Sequence, residues 1–360
     1  MNIQATNNTT QEMMDSIMQM LAGSVGIGTL YNSQMMKSLD AIMAIQRRFN
    51  ITAMPSYLIL KLMLLTSLLI KDDGCKEFLK VLKIPDESDA RKLIKIIVEK
   101  NNLGEGDIKL FYNEGERLFS DFIHLIGLFH SGMSTLSYPL RERVGVREMS
   151  RESCIDFDNR SMEELGDINC MITGLFKEKV SFQKPFRYVE DETREDVEIF
   201  WIGKKEEVVS YVLRDTYHWL ELKTNCEYCN FVFIVDTNGV ESPLTMTSIR
   251  KNCEEKMEGS EWCRFIIEAE KLSGWSKNYI LYLSDMELEM DKFIEGKEVK
   301  PWRNSINYRV DIDFGEIMKG GEADVEANST KTIDACGKNV RFILLDRVRK
   351  VPMLFGKFLV

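Results

Sequence analysis

The hydrophobic period of this chain changes along its length, and that change limits the folds open to it. Early apolar residues recur at helical spacing: Met13, Met14, Ile17, Met18 and Leu21, then Met35, Met36, Leu39, Ile42 and Met43. After residue 179 the period shortens. Phe231 to Val235 is a continuous apolar run closed by the turn sequence Asp236-Thr237-Asn238-Gly239. Tyr308, Val310, Ile312 and Phe314 alternate with Arg309, Asp311 and Asp313, the pattern of a half-buried strand. The expected fold class is therefore α+β, an N-terminal helical domain followed by a strand-rich mixed domain.

Charge changes at the same place. Residues 1–150 hold 17 basic and 17 acidic side chains, and the remaining 210 hold 30 and 40, which accounts for the net charge of −10. The expected division is a helical domain at 1–150, a polar linker at 151–178 and an acidic domain at 179–360.

Within the first part, helices are expected from Thr9, from Ser33, across 56–70, after Pro85 and from Glu116 to His130. The stretch Tyr57–Ile70 is nearly all apolar, and with residues 51–56 it just reaches spanning length. Lys61 would then lie near the bilayer centre and Pro55 would interrupt the span, so a buried core helix is the preferred reading. In the second part, strands are expected at 197–202, 208–213, 217–222, 279–283 and 340–345. One helix is expected to open at Ser242-Pro243, and another to run from Ser260 to Gly274. The C-terminus, with Arg347, Arg349, Lys350 and Lys357 set among apolar residues, is read as a final strand of its own domain.

Met1 to Thr10 has no basic region leading into an apolar run, and eight cysteines stand at irregular spacings. Reduced thiols in the cytoplasm are the expectation. Cys226 and Cys229 have the spacing that grips one zinc ion from a tight turn, and Cys253 and Cys263 would complete a tetrahedral set. Reduced core cysteines are the alternative.

The catalytic candidates are acidic. Asp285 and Glu287 follow an expected strand, and Asp311 and Asp313 share one face of another, where carboxylates can hold a divalent metal. Gly274 and Ser276, followed by these acids, resemble the polymerase-β-type nucleotidyltransferase pattern, although Trp275 separates the glycine from the serine. That resemblance implies metal-dependent nucleotidyl or phosphoryl transfer. Arg141, Arg143, Arg147 and Arg151 form a local basic run through which RNA could be met, although the acidic chain as a whole repels phosphate.

Only three histidines are present and no established catalytic signature appears. The leading reading is a non-enzymatic, intracellular assembly or interaction protein, of the kind a virus uses for structural or accessory roles. Ten of the 20 methionines lie in the first 63 residues, and Met-rich faces suit contacts with other chains. Its partners would be itself, as a homo-oligomer held by the helical part, and other proteins.

Overall fold

A computed structural model describes residues 33–69, 73–100, 107–113, 132–136, 170–188, 198–258, 262–282, 305–315, 317–318 and 330–358, together with 147, 150, 151 and 153. Helix α1 (33–48) buries Met35, Leu39, Ile42 and Met43 on one side. It stops where Asn50 takes a left-handed φ of 52° and Ile51 N–H reaches back to Gln46 O at 3.0 Å. The two-residue strand β1 (Ala53–Met54) leads through Pro55 into α2 (Ser56–Leu69). Helices α3 (Asp73–Val81) and α4 (Glu87–Lys100) follow, the latter opened by Asp86, whose carboxylate accepts the Asp89 N–H at 2.9 Å.

The described strands form three sheets. The five-stranded sheet has the order β11 (Trp275–Tyr282), β12 (Ser305–Asp313), β4 (Cys170–Lys179), β2 (Asp107–Asn113) and β3 (Gly132–Leu136). The six-stranded sheet runs β1, β15 (Pro352–Lys357), β14 (Val340–Asp346), β9 (Cys229–Asp236), β8 (Tyr217–Lys223) and β7 (Val208–Leu213). The four-stranded sheet runs β13 (Thr330–Asp334), β10 (Trp262–Glu268), β6 (Glu198–Lys204) and β5 (Arg187–Tyr188). Helix α5 (Met246–Glu254) is capped by Thr245, whose hydroxyl accepts the Ser248 N–H at 3.1 Å. A phenylalanine cluster joins the sheets: Phe231 lies 4.8 Å from Phe233 and 5.6 Å from Phe342, and Phe233 lies 4.6 Å from Phe265.

An N-terminal helical domain followed by a strand-rich mixed domain is not what the chain builds. The first part contributes strands: β1 pairs with β15 through Ala53–Gly356 and Met54–Phe355, while β2 and β3 complete a sheet with β4. Its helices cover sheets made by the second part. Asp40 on α1 accepts the Met246 N–H at 2.7 Å, and Ala53 O accepts the Tyr308 hydroxyl at 3.1 Å. An apolar period reports which face of an element is buried, not which partner buries it.

Helix α2 makes the point most directly. Residues 58–65 are all buried, Lys61 included, and the helix packs on β4, β15 and α3. Gly174 on β4 admits this contact, because a Cβ there would stand 2.9 Å from Leu62 Cδ1. The helix is 14 residues long, and among the described residues no helix is long and apolar enough to cross a membrane. Residues 262–268, expected as helix, form β10, whose burial alternates strictly along the strand. Strand β4 opens at Cys170, inside the stretch expected as linker. The expected helices from Thr9 and from Glu116 to His130 lie outside the described residues.

Candidate functional site

The middle of the five-stranded sheet holds its most distinctive geometry. Strands β4 and β12 lie side by side and parallel, in register from Asn307–Thr173 to Asp313–Lys179. Each is flanked on its other side by an antiparallel neighbour, β2 and β11 respectively. Parallel pairing is slightly less stable per residue than antiparallel pairing, so this seam is the weaker contact among those three. Tyr308 sits opposite Gly174 at the seam and stacks on Tyr279 of β11 at 5.1 Å between ring centroids.

Beyond the seam the chain leaves the sheet abruptly. Asp313 O accepts the Val180 N–H at 2.7 Å, and the Asp313 carboxylate accepts the Gly315 N–H at 2.8 Å. Phe314 enters the phenylalanine cluster, 5.4 Å from Phe231, while Gly315 turns the backbone with φ at +73°. Met318 then docks on the four-stranded sheet, its N–H bonded to Phe186 O at 3.0 Å and its carbonyl accepting the Tyr188 N–H at 3.2 Å. From Thr330, β13 forms the edge of that same sheet, parallel to β10.

Of the acidic candidates, Asp311 accepts hydrogen bonds from Ser276 Oγ and from Arg309 Nε, the latter at 2.8 Å. Asp313 is exposed and faces Lys179 at 3.8 Å. Asp285 and Glu287 lie outside the described residues. Another carboxylate stands near the seam: Glu178, paired with Ile312 in the β4–β12 register, accepts the Tyr228 hydroxyl at 3.2 Å. Burial pushes its pKa above the ordinary 4.5, and the Tyr228 hydrogen bond offsets only part of that.

The four cysteines do not come together as a metal site. Cys226 lies in the turn before β9, Cys229 opens β9, Cys253 is on α5 and Cys263 is on β10 in another sheet. Among the described residues no group of three or more His, Cys, Asp or Glu is placed to hold a metal, so zinc is not supported. Burial instead keeps the thiols protonated: Cys253 and Cys263 are pushed up to about 12, and Cys229 is also raised. Arg147 and Arg151 are exposed, while Arg141 and Arg143 lie outside the described residues.

Comparison with solved structures gives the arrangement a name. Human kallistatin superposes with a TM-score of 0.66 at 12% identity, over 91% of this chain and 98% of that one. Protease nexin-1, solved with heparin, gives 0.65 at 9% identity, over 92% and 98%. A tumour-suppressing serpin gives 0.60 at 11% identity, over 92% and 99%. The fold is that of the serpins. No protein-family model matches the sequence, and no curated protein matches it closely enough to be a recognised relative.

The serpin fold overturns the reading as a viral assembly protein and the nucleotidyl-transfer alternative. The oligomer argument loses its premise as well, because the wide apolar arcs of α1 and α2 are covered by strands and helices of the same chain. Sequence reasoning passed over the stretch between β12 and β13. Its local signal is an alternation of small apolar Ala323, Val325 and Ala327 with Asp324, Glu326 and Asn328.

Proposed function

We propose that this chain is a protease-binding protein of the serpin type. It presents the connection between β12 and β13 to a protease and, once cut there, takes the freed segment into its own sheet as an extra strand. The observation that carries the reading is the parallel seam between β4 and β12, with the connection starting at its end. A segment that turns back at Gly315 and enters the seam runs antiparallel to both strands. One parallel contact is then exchanged for two antiparallel ones, which favours insertion.

The composition of the segment supports the same reading. Ala323, Val325 and Ala327 would share one face, small enough for the side of the sheet that α2 approaches closely at Gly174, while Asp324 and Glu326 would face solvent. Length explains why insertion waits for cleavage. Sixteen residues separate Asp313 from Thr330. Fully extended they span at most roughly 53 Å, and while both ends stay joined to β12 and β13 an inserted segment must enter the seam and return within that reach. Protease nexin-1 carries its partner class in its name, and it shares this fold. The free cysteines Cys75, Cys226, Cys229, Cys253, Cys263 and Cys336 support action in a reducing compartment, which we propose to be the cytoplasm.

The test is limited digestion with a glutamyl endopeptidase, with the cut mapped by mass spectrometry. Cleavage within 319–329 is expected to leave both pieces associated and to raise the melting temperature by several degrees. A cut chain that melts at or below the temperature of the intact one removes the proposal.

A further inference from the structure

The proposed protease reading leaves one built cavity unused. A cleft of about 470 Å³ opens where β11 begins, between that strand, the 3-10 turn Ala269–Leu272 and the end of β15. Small-molecule sites typically measure about 300–1,000 Å³, so this one has room for two fused rings. We propose that it binds a small planar anion, an aromatic ring system carrying one carboxylate or sulfonate.

The walls supply the ring contacts. Gly274, at φ +79°, lets the backbone pass close to Ile312 O, where a Cβ would stand at 2.9 Å. The chain therefore enters β11 with Trp275, Lys277 and Tyr279 at alternate positions, on one face of the strand. All three line the cleft, with Phe358 of the opposite wall. Trp275 and Tyr279 are half-buried, so each presents part of its ring to the opening. The Tyr279 hydroxyl is fixed by Thr52 Oγ1 at 2.8 Å.

Charge selects an anion. Three lysines line the cleft, and Lys271 is neutralised by Glu268 at 2.8 Å. Lys277 and Lys357 have no carboxylate within ion-pair distance among the described residues. Lys277 lies 5.7 Å from the centroid of the Tyr279 ring, and Lys357 donates to the neutral amide of Asn50. Glu270 is the lone acid among the described residues of the lining and is exposed. In a chain of net charge −10, two cations without acidic partners beside three aromatic rings form a locally positive, ring-lined site.

Titration calorimetry of the full chain with anilinonaphthalene sulfonate tests this, with uncharged phenylnaphthylamine as the comparison. One saturable site is expected, with the sulfonate bound more tightly than the neutral amine. Lys277→Gln and Lys357→Gln should each weaken the sulfonate about three- to tenfold and leave the amine unchanged. Trp275→Ala should weaken both probes. Lys277 is exposed, so Lys277→Gln keeps the fold and decides the matter alone if Lys357→Gln does not. Sulfonate affinity unchanged in Lys277→Gln, equal affinity for the two probes, or binding without saturation overturns the proposal.

Discussion

Arg341 holds Asp236 through two hydrogen bonds, Nε to Oδ2 at 2.9 Å and Nη2 to Oδ1 at 2.5 Å, with both side chains buried in the six-stranded sheet. The remaining nitrogen, Nη1, donates to Ser242 O at 2.7 Å. The pair ties the end of β9 to β14 and to the loop before α5. Removing one partner strands the other charge away from water, at a cost of about 3–5 kcal/mol. Arg341→Met should lose that much in urea unfolding, and Arg341→Met with Asp236→Leu should recover a large part of it. A single variant within about 1 kcal/mol of the parent would show that the pair is not needed.

Two strand glycines should respond differently to the same methyl group. At Gly356 a Cβ would stand 2.4 Å from Phe342 Cζ and 2.9 Å from the backbone oxygen of Thr52, neither of which moves freely. At Gly174 the nearest atoms are the ends of Leu62 and Leu58, at 2.9 and 3.0 Å, and these can rotate away. Gly356→Ala is therefore expected to cost about 1–3 kcal/mol, and Gly174→Ala clearly less. Denaturant midpoints measured side by side check the order, and the reverse order would contradict this packing.

The strands that a local pattern marks were legible in the sequence. Phe231 to Val235 announces β9 by its unbroken apolar run, and Tyr308 to Phe314 announces β12 by its alternation. Strand β4 was hidden, because Gly174 and the charged residues Lys177, Glu178 and Lys179 break its apolar pattern. The glycine is there for α2, which the local sequence does not mention. Strand β10 was misread as helix because the glycines around it punctuate either element equally well, while its alternation is short. The seam itself joins residues more than a hundred positions apart, such as Thr173 and Asn307, and local period carries no trace of such a pairing. For the same reason the acidic candidates were placed correctly on a strand face at Asp311 and Asp313, but with Ser276, Arg309 and Lys179 as partners rather than a metal.

Glu178 should make the fold less stable as pH rises. Its folded-state pKa is raised by burial, and among the described residues no basic side chain lies within ion-pair distance to reverse that. An acid raised on folding favours the protonated native state. Its contribution is fully present below the ordinary 4.5 and is lost as pH rises through the raised value. Glu178→Gln keeps an acceptor for the Tyr228 hydroxyl and removes the charge. The variant should exceed the parent in stability at neutral pH, with the gap closing under acidic conditions. Melting curves across that range test the sign, and a variant less stable at neutral pH would reverse it.

The separated thiols predict indifference to chelators. Cys226 and Cys229 adjoin at the start of β9, but Cys253 lies on α5 and Cys263 on β10, and among the described residues no group of three ligands forms. Prolonged dialysis against a strong chelator should leave the melting temperature unchanged. Alkylation at neutral pH should be slow at Cys253 and Cys263, whose thiols are buried and pushed up to about 12. Rapid labelling of either in the native protein would mean that β10 or α5 opens far more readily than its packing implies.

Insertion at the β4–β12 seam makes a demand on one side chain. If the cut segment enters with Ala323, Val325 and Ala327 facing α2, the central position must be apolar, because that is the face of the sheet on which the helix packs. Val325→Asp would bring a carboxylate into that contact, where an unpaired charge is strongly disfavoured. The substitution lies between the end of β12 at Asp313 and the start of β13 at Thr330, and the uncut variant is expected to melt with the parent. After cleavage by a glutamyl endopeptidase, the parent should gain stability and the variant should not. Val325→Ala separates this from a nonspecific effect, since it keeps the face apolar and should retain most of the gain. Equal gains in all three proteins would mean that residue 325 does not face the core, and the proposed register of the inserted strand would have to be abandoned.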